Sequence, residues 1–233
     1  MQNIKNSDKL GGRLRRNRQG DFAATIVAVP NLVRLRSRRP PVSSDFLQRG
    51  ENMLQRFNYR HNRDVPLPDN TIINGQGCGE VANMRYGFCP MSYNGCEMIA
   101  IHNTMVLTDR PSSLQEVCRE MYMKSQMLSG FLGSNPCLLG SFYKRREISF
   151  RKTYKYDDFF DSLGRVPVAV LSFWNKKKPF NGLHTVAVQL IDDKIVIYNR
   201  YNSKDYPYEY ASREEVLPKR SDFICGYLIE EER

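Results

Sequence analysis

The stretch Tyr93-Asn94-Gly95-Cys96-Glu97 leads straight into Met98-Ile99-Ala100-Ile101-His102-Asn103-Thr104-Met105-Val106-Leu107. Apolar residues here fall on nearly every side of a 3.6-residue period, which predicts a central helix buried all round. Asp109-Arg110-Pro111 stops it, since proline and its predecessor both resist the helical backbone. Cys96 thus stands at the mouth of a buried helix. Much later in the chain come a lone histidine in a strand-like segment, His184, and an asparagine at the end of the next one, Asn199. A thiol nucleophile with its base and its orienting group is laid out in this way.

The surroundings predict an α+β chain. Ser113-Leu114-Gln115-Glu116 fits a capping box, and Leu114, Val117, Cys118 and Met121 then mark one buried helical face. Upstream, a helix starting at Ser43 or Ser44 carries Phe46, Leu47, Leu54 and Phe57, and residues 58–95 read mostly as polar loop. Downstream, Glu147 to Lys152 alternates like a strand, and Tyr156 to Leu163 reads as a short helix ended by Gly164. Val166 to Phe173 is a β-branched run that suits an inner strand. His184 to Ile191 and Lys194 to Asn199 form a hairpin about Asp192-Asp193, and Asp222 to Ile229 supplies a last strand. Helices first and an antiparallel sheet afterwards give a buried central helix packed on that sheet. Three segments follow: a basic N-terminal arm (1–42) ending in Arg38-Arg39-Pro40-Pro41, a helix and loop-rich lead-in (43–95), and a catalytic domain (96–233).

Thiol chemistry needs thiolate, which a helix N-terminus and a nearby imidazolium both favour. Of the three histidines, His102 lies six residues along the same helix as Cys96, roughly 9 Å up the axis and about 120° round it. His61 sits in the polar Tyr59-Arg60-His61-Asn62-Arg63, and His184 remains. His184, Val186, Val188 and Leu190 share one strand face. A two-residue turn at Asp192-Asp193 sets Asn199 opposite Val186, diagonal to His184 and about 7–8 Å from it. A four-residue loop keeps that parity, whereas a three-residue loop would send Asn199 to the other face. The Asn199 amide oxygen would then hold the imidazole in the tautomer that accepts the thiol proton.

Two segments resemble a known family. The residues from Asn94-Gly95-Cys96 through Ser113-Leu114 to Met121 are similar to the central-helix region of peptidases that process double-glycine bacteriocin leaders, and of their stand-alone bacterial relatives. The stretch Gly182 to Arg200 resembles that family's histidine strand, acidic turn and following strand. The resemblance covers about residues 90–230. It implies a papain-like cysteine peptidase fold and peptide-bond cleavage through an acyl-enzyme, with Cys96 as nucleophile, His184 as general base and acid, and Asn199 as orienting residue. It implies no cofactor and no metal. Two positions depart from the family pattern: Pro90 stands where a glutamine usually helps hold the oxyanion, and Glu97 replaces the usual glycine. Oxyanion donation then falls to the backbone N–H of Cys96 and the side chain of Asn94.

Other readings stand beside this one. Relatives on the same fold include acyl or amide transferases, and a catalytically silent basic binding module is a further alternative. Gln76-Gly77-Cys78-Gly79 makes Cys78 a rival nucleophile, although the segment behind it is polar and soon meets Gly87. Cys78, Cys89, Cys96 and His102 match no common zinc spacing. Residues 1–50 carry 11 Lys+Arg against 3 Asp+Glu, and the rest of the chain carries 24 against 22. The basic arm reads as a solvated or flexible extension, because no aromatic residues interleave with its charges, and alternatively as an arm that attracts an acidic partner. Leu10-Gly11-Gly12 reads as a flexible turn, with self-processing at its double glycine as the alternative. The six cysteines are too sparse for a disulfide scaffold, and no membrane span is expected. Phe22 to Val33 is a weak leader with no clear cleavage site, so a cytoplasmic protein acting on a peptide or protein substrate is expected.

Overall fold

The computed structural model describes residues 44–231 apart from 68–69, 111, 126, 128–129, 132 and 178–179. The basic arm, the leader-like Phe22 to Val33 and the Leu10-Gly11-Gly12 segment lie outside the described residues. In chain order the elements are α1 (Ser44–Arg63), β1 (Arg85–Tyr86), β2 (Cys89–Pro90), α2 (Met91–Asn94), α3 (Cys96–Leu107), α4 (Leu114–Ser125), α5 (Gly140–Arg145), β3 (Phe150–Thr153), α6 (Tyr156–Ser162), β4 (Val168–Lys177), β5 (Phe180–Ile191), β6 (Lys194–Tyr198), β7 (Tyr208–Tyr210), α7 (Arg213–Val216) and β8 (Phe223–Ile229). Six strands pair in the order β3-β8-β4-β5-β6-β7, every pair antiparallel. Strands β1 and β2 form a separate ribbon. The fold is α+β, and no described helix is long and apolar enough to cross a membrane.

The central strands are apolar on both sides because both sheet faces are covered. Val168, Val170, Ala187, Val196 and Tyr227 pack with Met98, Ile99 and Ile101 of α3 and with α4. Ala169, Leu171, Phe173, Val186, Val188 and Ile197 face the other way, onto Phe159, Phe160 and Leu163 beside α6 and onto Val216 of α7. Full burial of such a side chain stabilises the fold by roughly 1.5–3 kcal/mol. The hairpin turn at Asp192-Asp193 has φ of 49° and 61°, as a two-residue type I′ turn requires. It pairs Ile191 with Lys194. The capping box of α4 is made in both directions: the Glu116 N–H donates to Ser113 Oγ at 3.2 Å, and the Ser113 N–H donates to Glu116 Oε2 at 3.3 Å.

Three local departures from the sequence reading have physical causes. Helix α1 continues to Arg63 because its asparagines serve as backbone mimics. Asn62 donates to the Arg85 carbonyl and accepts from the Arg85 N–H, both at 2.8 Å, and Asn58 donates to the Gly87 carbonyl at 2.8 Å. Val65, Val81, Met84, Tyr86 and Met91 consequently join the same core as α3. Strand β3 starts at Phe150 rather than at Glu147, whose φ of 54° turns the chain out of α5. Strand β7 and helices α5 and α7 are too short to register as periodic patterns.

The sheet leaves no room for a side chain at Gly226. A Cβ there would lie 2.1 Å and 2.5 Å from ring carbons of the fully buried Phe159. Gly226→Ala is therefore expected to lower the unfolding free energy by about 1–3 kcal/mol in urea titrations. Adding Phe159→Leu should cost less in that background than in the native chain, because the two sites share one space.

Candidate active site

Cys96 opens α3 after Gly95, and a Cβ at Gly95 would fall 2.0 Å from Met91 Sδ. The tight passage from α2 into α3 thus needs glycine for space, and it fixes where the thiol emerges. Cys96 is 6 % exposed and lines a cavity of about 560 Å³. Its thiol donates to Glu97 Oε2 at 3.1 Å. Burial, together with the charge of Glu97 and this hydrogen bond, pushes the Cys96 thiol well above its ordinary range. The backbone N–H of Thr185 acts in the opposite direction, but more weakly. The expectation that a helix N-terminus would favour thiolate is thus reversed in the resting chain. Loss of hydration on burial, reinforced by a buried carboxylate one residue away, outweighs partial charges on backbone N–H groups.

The Thr185 contact brings the His184–Thr185 peptide of β5 against the sulfur. Thr185 belongs to the face covered by α3, with its hydroxyl 2.9 Å from Ser172 Oγ. His184 lies on the face shared by Val186 and Val188, with its ring 5.7 Å from that of Phe173 in an edge-on arrangement. Glu97 is a side-chain partner of the thiol in this structure.

Asn199 stands one residue past β6, with φ of 58°. The contact with His184 is made by its backbone: His184 Nε2 is 2.8 Å from the Asn199 carbonyl oxygen. A carbonyl only accepts, so in the neutral ring the proton belongs on Nε2 and the basic lone pair on Nδ1. The Asn199 side chain is engaged elsewhere. Its oxygen accepts from the Gln76 N–H at 3.0 Å, and its nitrogen donates to Gln76 Oε1 at 3.1 Å. Asn74 Oδ1 accepts from the Asn199 N–H at 2.8 Å. The atom of Asn199 that meets the imidazole is therefore a main-chain oxygen instead of the side-chain amide.

Asn94 does not fit the role of oxyanion donor. Both hydrogens of its amide go to carbonyls, those of Tyr86 at 2.7 Å and Gly130 at 3.0 Å. Gln76, which lies two residues before the rival Cys78, folds back to the site. Its Nε2 donates to the Ser92 carbonyl at 3.1 Å, one turn before Cys96. The half-buried Cys78 points its thiol at the Asn202 carbonyl, 3.7 Å away, and lines a separate cavity of about 400 Å³ that His102 also lines. Both ring nitrogens of His102 meet carbonyls, those of Ser112 at 2.8 Å and Thr71 at 3.0 Å. Glu97 is the residue whose importance the sequence underplayed. Its signals there were a charge at the head of an apolar run and the departure from the family's glycine at this position.

Burial raises the Glu97 carboxyl from 4.5 to about 7, despite the opposing hydrogen bond from Cys96. Between those values the folded chain holds a proton that the unfolded chain has lost. Stability must therefore fall as pH rises across that window and level off above it. The full effect is roughly 3 kcal/mol. Urea midpoints from pH 4.5 to 8 should show this loss in the native chain and its absence in Glu97→Gln. Parallel pH profiles would refute the assignment.

No protein-family model matches the chain, and no curated protein matches it. Among solved structures, the chain is similar to the peptidase domain of Streptococcus ComA, a bifunctional ABC transporter involved in a quorum sensing pathway. The TM-score is 0.43 at 12 % identity, covering 64 % of this chain and 100 % of that domain.

Proposed function

We propose that this chain is a papain-like thiol hydrolase that cleaves peptide bonds through an acyl-enzyme on Cys96. The observation that carries the reading is the meeting of α3 and β5. It sets the Cys96 sulfur against the Thr185 N–H, while the adjacent His184 has its Nε2 pinned by the Asn199 carbonyl. The cavity beside the thiol gives a substrate carbonyl somewhere to enter.

The chemistry follows from these roles. In this reading His184, next to the Thr185 N–H that meets the sulfur, turns its ring from the Val186 face toward α3 and takes the thiol proton on Nδ1 once Glu97 releases it, and the sulfur attacks the peptide carbonyl carbon. Backbone N–H groups at the start of α3, that of Cys96 first, receive the oxyanion. The imidazolium then protonates the departing amine, leaving a thioester. Water that has given a proton to His184 cleaves the thioester and restores the thiol. Gln76 serves as a positioning residue, joining Asn199 to the loop ahead of Cys96. Asn199 orients through its main chain.

Incubation with a peptide library, read by mass spectrometry, tests the proposal. Cys96→Ala should abolish cleavage, and His184→Ala should lower kcat by about 10²–10⁴-fold. Asn199→Ala keeps the carbonyl and should lower kcat less than His184→Ala does. Cleavage that survives in Cys96→Ala would overturn the assignment. Aminolysis outpacing hydrolysis when amines are added would make the chain a transferase instead.

A further inference from the structure

The cavity beside Cys96 has a composition that points to its occupant. Tyr93, Met127, Phe131 and Trp174 form exposed apolar parts of its wall. The wall is braced: the Tyr93 hydroxyl donates to the Phe131 carbonyl at 3.3 Å, and Phe131 stacks on Phe88 with ring centroids 5.6 Å apart. Among the described lining residues there is no lysine, arginine or histidine, and Glu97 is the only carboxylate.

Three polar residues of this wall each leave one buried oxygen without a hydrogen-bond partner: Glu97 Oε1, Asn94 Oδ1 and Ser134 Oγ. The residues are 1 %, 2 % and 3 % exposed. The orientation of the Asn94 amide is fixed by the two carbonyls that its nitrogen serves, so an acceptor is what it leaves over. Buried acceptors without donors are unfavourable unless a ligand supplies the hydrogens. An ammonium group carries three donors and no acceptor. It is attracted to aromatic faces, and the methylene stem of a lysine covers apolar wall while its head seeks polar partners.

We propose that the cavity binds the primary ammonium of a lysine side chain, with Glu97 as its counter-charge and Asn94 and Ser134 as further acceptors. The substrate class is then a peptide with lysine next to the bond presented to Cys96, a refinement that rests on the peptidase reading for its catalytic meaning. Binding carries a consequence for the thiol. A cation paired with Glu97 cancels the negative charge that adds to burial in disfavouring thiolate, so the proper side chain removes the electrostatic part of the resting block on the nucleophile.

Trp174 is the sole tryptophan of the chain and stands in the cavity wall, so its fluorescence reports occupancy without catalysis. The full chain carrying Cys96→Ala would be titrated with a blocked lysine-containing peptide and with the same peptide bearing norleucine, in parallel with calorimetry. The lysine peptide should bind at least tenfold more tightly, and adding Glu97→Gln should remove the difference. Adding Ser134→Ala, which leaves the carboxylate in place, should weaken the lysine peptide severalfold and leave norleucine unchanged. No binding of the lysine peptide, equal binding of the two peptides, or a lysine preference that survives Glu97→Gln would each overturn the proposal. Lysine-selective binding together with no hydrolysis by the native chain would instead refute the peptidase reading and leave the ammonium site standing.

Discussion

The docking of helix α3 on strand β5 is the constraint on which the rest of the molecule depends. Residues from Cys96 to Met105 are buried along this helix, so it has no solvent face and must be enclosed on all sides. The sheet encloses one side, α4 another, and the lead-in supplies Val65, Met84, Tyr86 and Met91 to the remainder. A helix held this way cannot shift along its axis without opening voids, and the position of its first residue is fixed accordingly. Gly95 adds a second restraint, because the chain enters the helix past Met91 with no space for a side chain. The sulfur of Cys96 is thereby located by packing far from the sulfur itself.

Electrostatics at that point oppose the packing. The helix start and the Thr185 N–H favour a negative sulfur, while burial and the carboxylate of Glu97 oppose it and prevail. Burial, which strips water from the anion, is the larger cause, and the weakly screened charge of Glu97 adds to it against partial charges that act from the helix end. The resting thiol is therefore protonated and hydrogen-bonded, and Glu97 itself titrates near neutrality because it is buried. Catalysis through Cys96 requires this carboxylate to be neutralised or displaced, which makes Glu97 the electrostatic centre of the candidate site.

A second network, made of amides, holds the lead-in to the sheet. Asn74 and Gln76 bind the backbone and side chain of Asn199, and Gln76 continues to the Ser92 carbonyl. Asn103 of α3 pairs with both polar groups of the Ile73 main chain, at 2.8 Å each. Side-chain amides can replace the partners that a backbone would find in a strand, so main-chain groups of this half-buried segment without regular structure find partners. Asn199 tolerates its positive φ for a related reason, since asparagine is among the side chains that accept the left-handed region.

The sequence by itself determined the buried helix, the capped helix after it, the hairpin about Asp192-Asp193 and the order of helices before strands. Each depends on local periodicity or on turn and cap chemistry, which a one-dimensional pattern carries directly. It also made Cys96, His184 and Asn199 the candidates, by position on those elements. Tertiary structure alone decided which atoms meet. The carbonyl of Asn199 reaches His184 in place of its amide, Gln76 returns from a distant loop, and the amide of Asn94 turns away to two carbonyls. The reversed proton preference of Cys96 was equally beyond the sequence, because the charge of Glu97 opposes thiolate strongly only after folding has removed the surrounding water.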